Sequence, residues 1–269
     1  LDNDSDENGP TVRSALILGG LFIIMGALLP VIFGGRGISY ASGANRFVLP
    51  GAVGSAMLLV GLLNFLKPQA RQIGLALFLG SAVFAQFGFG LAYQANYENT
   101  RETWWQFAWR APDLEPGALV SGRMQNGALV ESYATWSPLN MIYHPGNHDI
   151  IITSEVLNSQ TQSLFGSNRV EMDWERGNEF TNDYSNFLLF SKPAETCLHI
   201  IDGQHPEISQ WDENIVGEVA AYSNIGQIRT ESEKVLAPDD SIFGPEPEHG
   251  WCYYYQKAQL ARQQGDWQV

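Results

Sequence analysis

No Asp or Glu occurs between Asn8 and Tyr97, while five bases do: Arg13, Arg36, Arg46, Lys67 and Arg71. Within that stretch, Ser14–Phe33, Phe47–Leu66 and Gln72–Tyr93 have no charge at all. A run of roughly 20 apolar residues matches the hydrocarbon thickness of a bilayer when helical. Basic residues are scarce elsewhere. Residues 98–269 carry 25 acids against 10 bases, which excludes a nucleic-acid surface, because phosphate binding needs clustered Lys and Arg. The same imbalance argues against docking onto an anionic lipid surface. Cysteine is limited to Cys197 and Cys252, too few for a disulfide framework or a cysteine-rich metal site. A Gly-rich phosphate loop, a Gly-x-Ser-x-Gly elbow, a His-Glu-x-x-His pair and a Cys-x-x-Cys pair are all missing. No cofactor is predicted.

What is present divides the chain by composition. Residues 1–12 form an acidic polar segment, and 13–97 a three-helix transmembrane region with spans near 14–33, 47–66 and 72–93. A polar domain follows over 98–230, then an acidic, Pro-bearing connector over 231–250 and a helical segment over 251–269. The expected class is a multi-pass membrane protein with an α+β polar domain. Leu rather than Met at position 1, and a helical pattern still running at Val269, are read as a cut from a longer chain. Small residues recur in the spans: Gly19, Gly20 and Gly26, then Gly51, Gly54 and Gly61, then Gly74, Gly80, Gly88 and Gly90. Helix packing in lipid relies on such close approach, and ordinary membrane-helix glycine is the alternative. Apart from Gln72 at the start of the third span, Asn64 and Gln86 are the strongly polar residues in the spans, and none is ionisable, so no proton relay is expected. The short Lys67-Pro-Gln-Ala-Arg71 loop places that side in the cytoplasm and everything after Tyr97 outside, while Arg36 and Arg46 pull the other way.

In the polar domain, alternating apolar runs bounded by turn residues predict strands at 118–123, 129–135, 149–156, 169–174, 186–191 and 196–201. Ser191–Glu195 reads as a hairpin connection. Ile208, Trp211, Ile215, Val219 and Tyr222 recur at helical spacing, and 225–230 reads as a strand, so 196–230 is expected to form a β-α-β unit. From Trp251 a helix runs to a Gly-Asp turn. That segment reads either as a helix closing the domain or as the first half of a tetratricopeptide-like hairpin packed through Tyr254, Ala258 and Ala261.

Four groups carry candidate chemistry. Trp104, Trp105, Trp109 and Arg110 provide rings to stack on sugars and a guanidinium for a phosphate or carboxylate; a membrane-interface belt with a core anchor is the alternative. His144, His148 and Asp149 hold metal-ligand atoms, but in a Pro-Gly loop whose spacing specifies no site. Glu171, Asp173, Glu175 and Glu179 surround Trp174 without the ligand order of a calcium loop. Cys197 and Cys252 pair if the domain lies outside, worth about 4 kcal/mol in the chain-entropy model, or remain two buried thiols.

Three segments together, Trp-Trp-Gln-Phe-Ala-Trp-Arg-Ala-Pro (104–112), Ser-Pro-Leu-Asn-Met-Ile-Tyr (137–143) and 251–266, carry a resemblance. Over most of 100–269 the chain resembles the C-terminal portion of large, uncharacterised multi-spanning bacterial membrane proteins. Their layout is similar to that of GT-C glycosyltransferases. The resemblance implies the bacterial cytoplasmic membrane, an extracytoplasmic polar domain, partner helices in the parent protein and a lipid-linked sugar as substrate. The departure is the 34–46 loop, which has no acid where GT-C enzymes keep a catalytic one, so no catalytic residue carries over. The other expectation is a membrane-anchored extracytoplasmic interaction module without catalysis.

Overall fold

The computed structural model describes residues 9–33, 49–124, 129, 131–147, 149–175, 177–193, 196–231 and 236–266. The first eight residues, the 34–46 loop with Arg36 and Arg46, His148, residues 194–195 of the hairpin connection and Trp267–Val269 lie outside them. The chain divides into two compact units, Leu1–Ala92 and Tyr93–Val269.

The first unit is helical. Helix α1 spans Gly9–Phe33, α2 spans Leu49–Leu63, and α3 begins at Pro68 and runs to Arg110 in the second unit. Two of these, α1 and α3, are long and apolar enough to cross a membrane, and their apolar windows are almost or wholly unburied. This corrects the expectation of three spans. The described part of α2 has 15 residues, about 22 Å at 1.5 Å per residue, short of a core about 30 Å thick. Asn64 falls in the turn after α2, not in a span, and accepts from Arg71 Nη1 at 3.0 Å.

Helices α1 and α2 meet on glycine. A Cβ on Gly20 would lie 2.6 Å from the Gly54 carbonyl oxygen, and one on Gly54 would lie 2.7 Å from that of Gly20. A Cβ on Gly61 would strike Ile17 at 2.8 Å. The small residues there let two backbones touch. Gly26, Gly80, Gly88 and Gly90 face open space, so glycine content alone does not identify a contact.

The second unit is built on a four-stranded mixed sheet. Strands β1 (Leu119–Met124), β2 (Thr153–Ser154), β5 (Phe187–Lys192) and β6 (His199–Ile200) lie in the order β2-β1-β5-β6. β1 runs parallel to β2 and to β5, and β5 is antiparallel to β6. Strands β3 (Val170–Glu175) and β4 (Asn178–Asp183) form a separate hairpin, which places Glu171 and Asp173 on β3 and Glu179 on β4. Every residue of β5 is buried. Its Phe-Leu-Leu-Phe sequence feeds both faces of the sheet, as expected of a central strand covered on both sides. Leu188 and Phe190 join a cluster with Trp104, Phe107, Val120 and Ile142, whereas Phe187 and Leu189 join Leu119, Phe165 and Val216. Gly122 is paired in register with Phe190. The Phe190 ring occupies the space a Gly122 side chain would need, 2.1 Å from a built Cβ.

Several expected elements are corrected. Residues 133–143 form helix α4, where a strand had been expected to end at Thr135. The buried set Thr135, Leu139, Ile142 and Tyr143 repeats at helical spacing, which outweighs the ladder bond that Pro138 forgoes. Asn140 on this helix accepts from Ile151 N at 2.9 Å and Ile152 N at 3.0 Å and donates to Ile152 O at 2.7 Å. It stands in for a neighbouring strand and positions β2. The β-α-β unit is therefore β1-α4-β2, with parallel strands, and not 196–230. The expected helix shrinks to α5 (Asn214–Val219) with a 3₁₀ turn at Ala220–Tyr222, and Ile225–Gln227 is a 3₁₀ turn rather than a strand. A one-turn helix α6 (Asp240–Phe243) precedes α7 (Trp251–Gln264), which ends on Gly265 in the left-handed region at φ +72°. The packed face of α7 is Gln256, Leu260 and Ala261, while Tyr254 and Ala258 are exposed.

Candidate functional site

All eight residues from Thr103 to Arg110 are buried, so this end of α3 is enclosed on every side. The Phe107 ring meets Phe190 edge-on at 5.4 Å, and Trp104 lies against both. Trp105 Nε1 donates to Gly244 O at 3.3 Å, and Trp109 Nε1 to Glu246 Oε1 at 2.8 Å. Glu246 also meets His249 at 3.0 Å, and that imidazole stacks on Tyr253 at 3.7 Å. Of the four residues singled out at the start of the polar domain, Trp105 and Trp109 thus have their N–H groups satisfied inside the fold, and Trp104 is packed against Phe107 and Phe190. Arg110 differs: it is 4% exposed, and its Nη1 has no hydrogen-bond partner.

Three ties bring other segments to Arg110. Cys197 and Cys252 are joined in a disulfide. Leu198 N donates to Gln106 Oε1 at 2.7 Å, and Leu198 O accepts from Gln256 Nε2. The residue beside the disulfide is thereby clamped between buried glutamines of α3 and α7. This arrangement forms a small cleft lined by Arg110 from α3, His199 from β6, Asp202 and Glu207 from the loop after β6, and Gln256 and Arg262 from α7. Gln256 is fully buried, and its Oε1 has no partner. Arg262 Nη1 reaches Glu207 Oε1 at 2.7 Å at the exposed rim. Burial first, and then the charge of Arg262, pull the Arg110 guanidinium down to about 10. No ion pair to Arg110 is found among the described residues.

Behind His199 lies a second polar group. Asp212, whose side chain is wholly buried, accepts from Ser209 N at 2.7 Å, meets His199 Nε2 at 3.1 Å and accepts from Ser191 Oγ. Burial works to raise its pKa, but the bonds from His199 and Ser191 outweigh it and hold the carboxylate below its ordinary value. The order of contacts decides what this group can do. Activation of a serine needs the imidazole on the hydroxyl, whereas here the carboxylate lies on both. The arrangement is that of a structural clamp joining β5, β6 and the loop before α5. Lys192 is buried likewise and reaches Asn99 Oδ1 and, at 3.7 Å, Glu102; burial lowers its pKa and Glu102 partly restores it.

Of the metal candidates, His144 caps α4 with a buried, unpartnered Nε2 and a pKa lowered by burial, and Asp149 is exposed. No cluster of three metal-ligating side chains exists among the described residues. Sequence reasoning selected Arg110 but missed Gln256, Arg262, His199 and Asp202. They come from three separate segments with no shared spacing, and the only advance signal was the polar side of the Trp251–Gln264 helix. No family model, curated protein or solved structure matches the chain.

Proposed function

We propose that this chain is a membrane-anchored interaction module of the bacterial cell envelope, held by α1 and α3, with residues 93–269 folded outside the cytoplasm. The observation that carries the reading is α3. Its apolar window is wholly exposed, including Leu77, Phe84 and Phe87, and an uninterrupted apolar surface of that size belongs in lipid or against other apolar helices. The disulfide supports the side, since such bonds persist in oxidising compartments. Glycosyl transfer, which the layout resemblance implies, ranks second, because it calls for rings open to a sugar and Trp104, Trp105 and Trp109 are buried.

Fractionation tests the anchor and protease access tests the side. The chain is expected to stay with membranes through alkaline carbonate washing, and its second unit to be cut by trypsin added to spheroplasts. Release by carbonate removes the anchor. Protection from trypsin, with Cys197 and Cys252 alkylated in intact cells, reverses the orientation.

A further inference from the structure

We infer that the cleft over Arg110 binds a hydroxyl-bearing oxyanion, of the hydrogen phosphate or phosphate monoester class, with Arg110 as the counter-charge and Gln256 as the acceptor of its proton. Buried charges in folded proteins are paired. Arg110 is buried, lines the cleft and has no partner on Nη1, and the Asp202 carboxylate acts on it only through space, so the cleft holds a guanidinium with an unmet donor. Gln256, which lines another wall, has a buried Oε1 without a partner, while its Nε2 is committed to Leu198 O. A ligand that completes both must accept from a guanidinium and donate to an amide oxygen. Hydrogen phosphate does both through one small group. Sulfate at neutral pH accepts only, and it offers no proton to Gln256 or to the nearby carboxylates of Asp202 and Glu207. Arg262, exposed and held by Glu207, supplies a second cation at the rim.

This site is independent of the membrane reading, because every group that forms it lies in the second unit. The test uses the full chain in neutral detergent, titrated by calorimetry with inorganic phosphate, sulfate and short-chain phosphatidic acid. Phosphate is expected to bind about tenfold more tightly than sulfate, the discrimination that one extra buried hydrogen bond provides. Arg110→Gln is expected to abolish binding, and Arg262→Gln, at the exposed rim, to weaken it about threefold to tenfold. Tighter binding of phosphatidic acid than of phosphate identifies a lipid source, and the reverse a soluble one. Absence of binding to the wild-type chain, or equal affinity for phosphate and sulfate, overturns the proposal whether or not Arg110→Gln folds. Undiminished binding in Arg262→Gln overturns the rim's part in it.

Discussion

Along α3, Leu77 is 67% and Phe84 79% exposed, whereas further along the same helix Phe107 is 0% and Arg110 4% exposed. In the first part the apolar side chains point outward and nothing covers them. In the second part even the glutamine and the arginine are covered. A water-soluble helix places charge outside and hydrocarbon inside, so the two parts of one helix answer to different solvents. The glycines teach the same lesson. Gly20 and Gly54 are in backbone contact, while Gly88 on α3 touches nothing. Polar groups in the second unit differ among themselves as well: Asp212 is buried with three partners, and Arg110 is buried with an open donor.

The largest effect expected on this contrast is at Phe107. Phe107→Ala leaves a cavity in the core and should cost about 3–5 kcal/mol, whereas Phe84→Ala should leave the second unit within about 0.5 kcal/mol. Urea unfolding followed by tryptophan fluorescence reads this cleanly, because all eight tryptophans lie at or after Trp104. A matching loss in Phe84→Ala would show that the exposed part of α3 also stabilises that unit.

Next comes Phe84→Arg, for which the two solvents predict different results. In lipid an arginine at mid-span costs about 2.5–3.5 kcal/mol on the insertion scale; on a helix facing water it is nearly neutral. Translocon-mediated insertion of residues 68–110 gives the answer, and unchanged insertion would refute the membrane reading of α3.

Gly54→Leu should separate α1 from α2 at a cost of about 1–3 kcal/mol, because the new side chain meets the Gly20 carbonyl and Ile23. Gly88→Leu should be silent. Cross-linking efficiency between cysteines placed at Ala15 and Leu62 measures both; equal loss in the two variants would mean that α3 has packing partners of its own.

The smallest effect is on acid stability. The Asp212 carboxyl is held below its ordinary value in the folded state. Its contribution is therefore fully present above the ordinary value of 3.8 and is lost as pH falls through the lower, folded value. Asp212→Asn should flatten the acid limb of a stability–pH curve below about pH 4. An unchanged acid limb would show that the His199 and Ser191 bonds do not favour the charged form.

Local patterns made much of this legible in advance. Strands β1, β3 and β5 fell where short β-branched and aromatic runs met turn residues, and α7 ended at the Gly265-Asp266 turn. The start of the helix at 133–143 was read as the end of a strand over 129–135, although Thr135, Leu139 and Ile142 keep helical spacing. Residues 225–230 were misread as strand because β propensity is only fitness for a half-buried pleated surface, and here a 3₁₀ turn and one isolated bridge from Leu114 to Ile228 take its place.

By itself the sequence determined the division between an acid-free apolar region and an acidic polar one, the presence of apolar runs within α1 and α3 long enough to span a bilayer, and the absence of any compact catalytic motif. These follow from composition and period, which act over neighbouring residues. Only the tertiary structure decided that Cys197 meets Cys252, that three tryptophans point into the core, and that Arg110 shares a cleft with Gln256 and Arg262. Those outcomes depend on which distant segments a sheet and a disulfide bring within bonding distance, and no local pattern encodes such a distance.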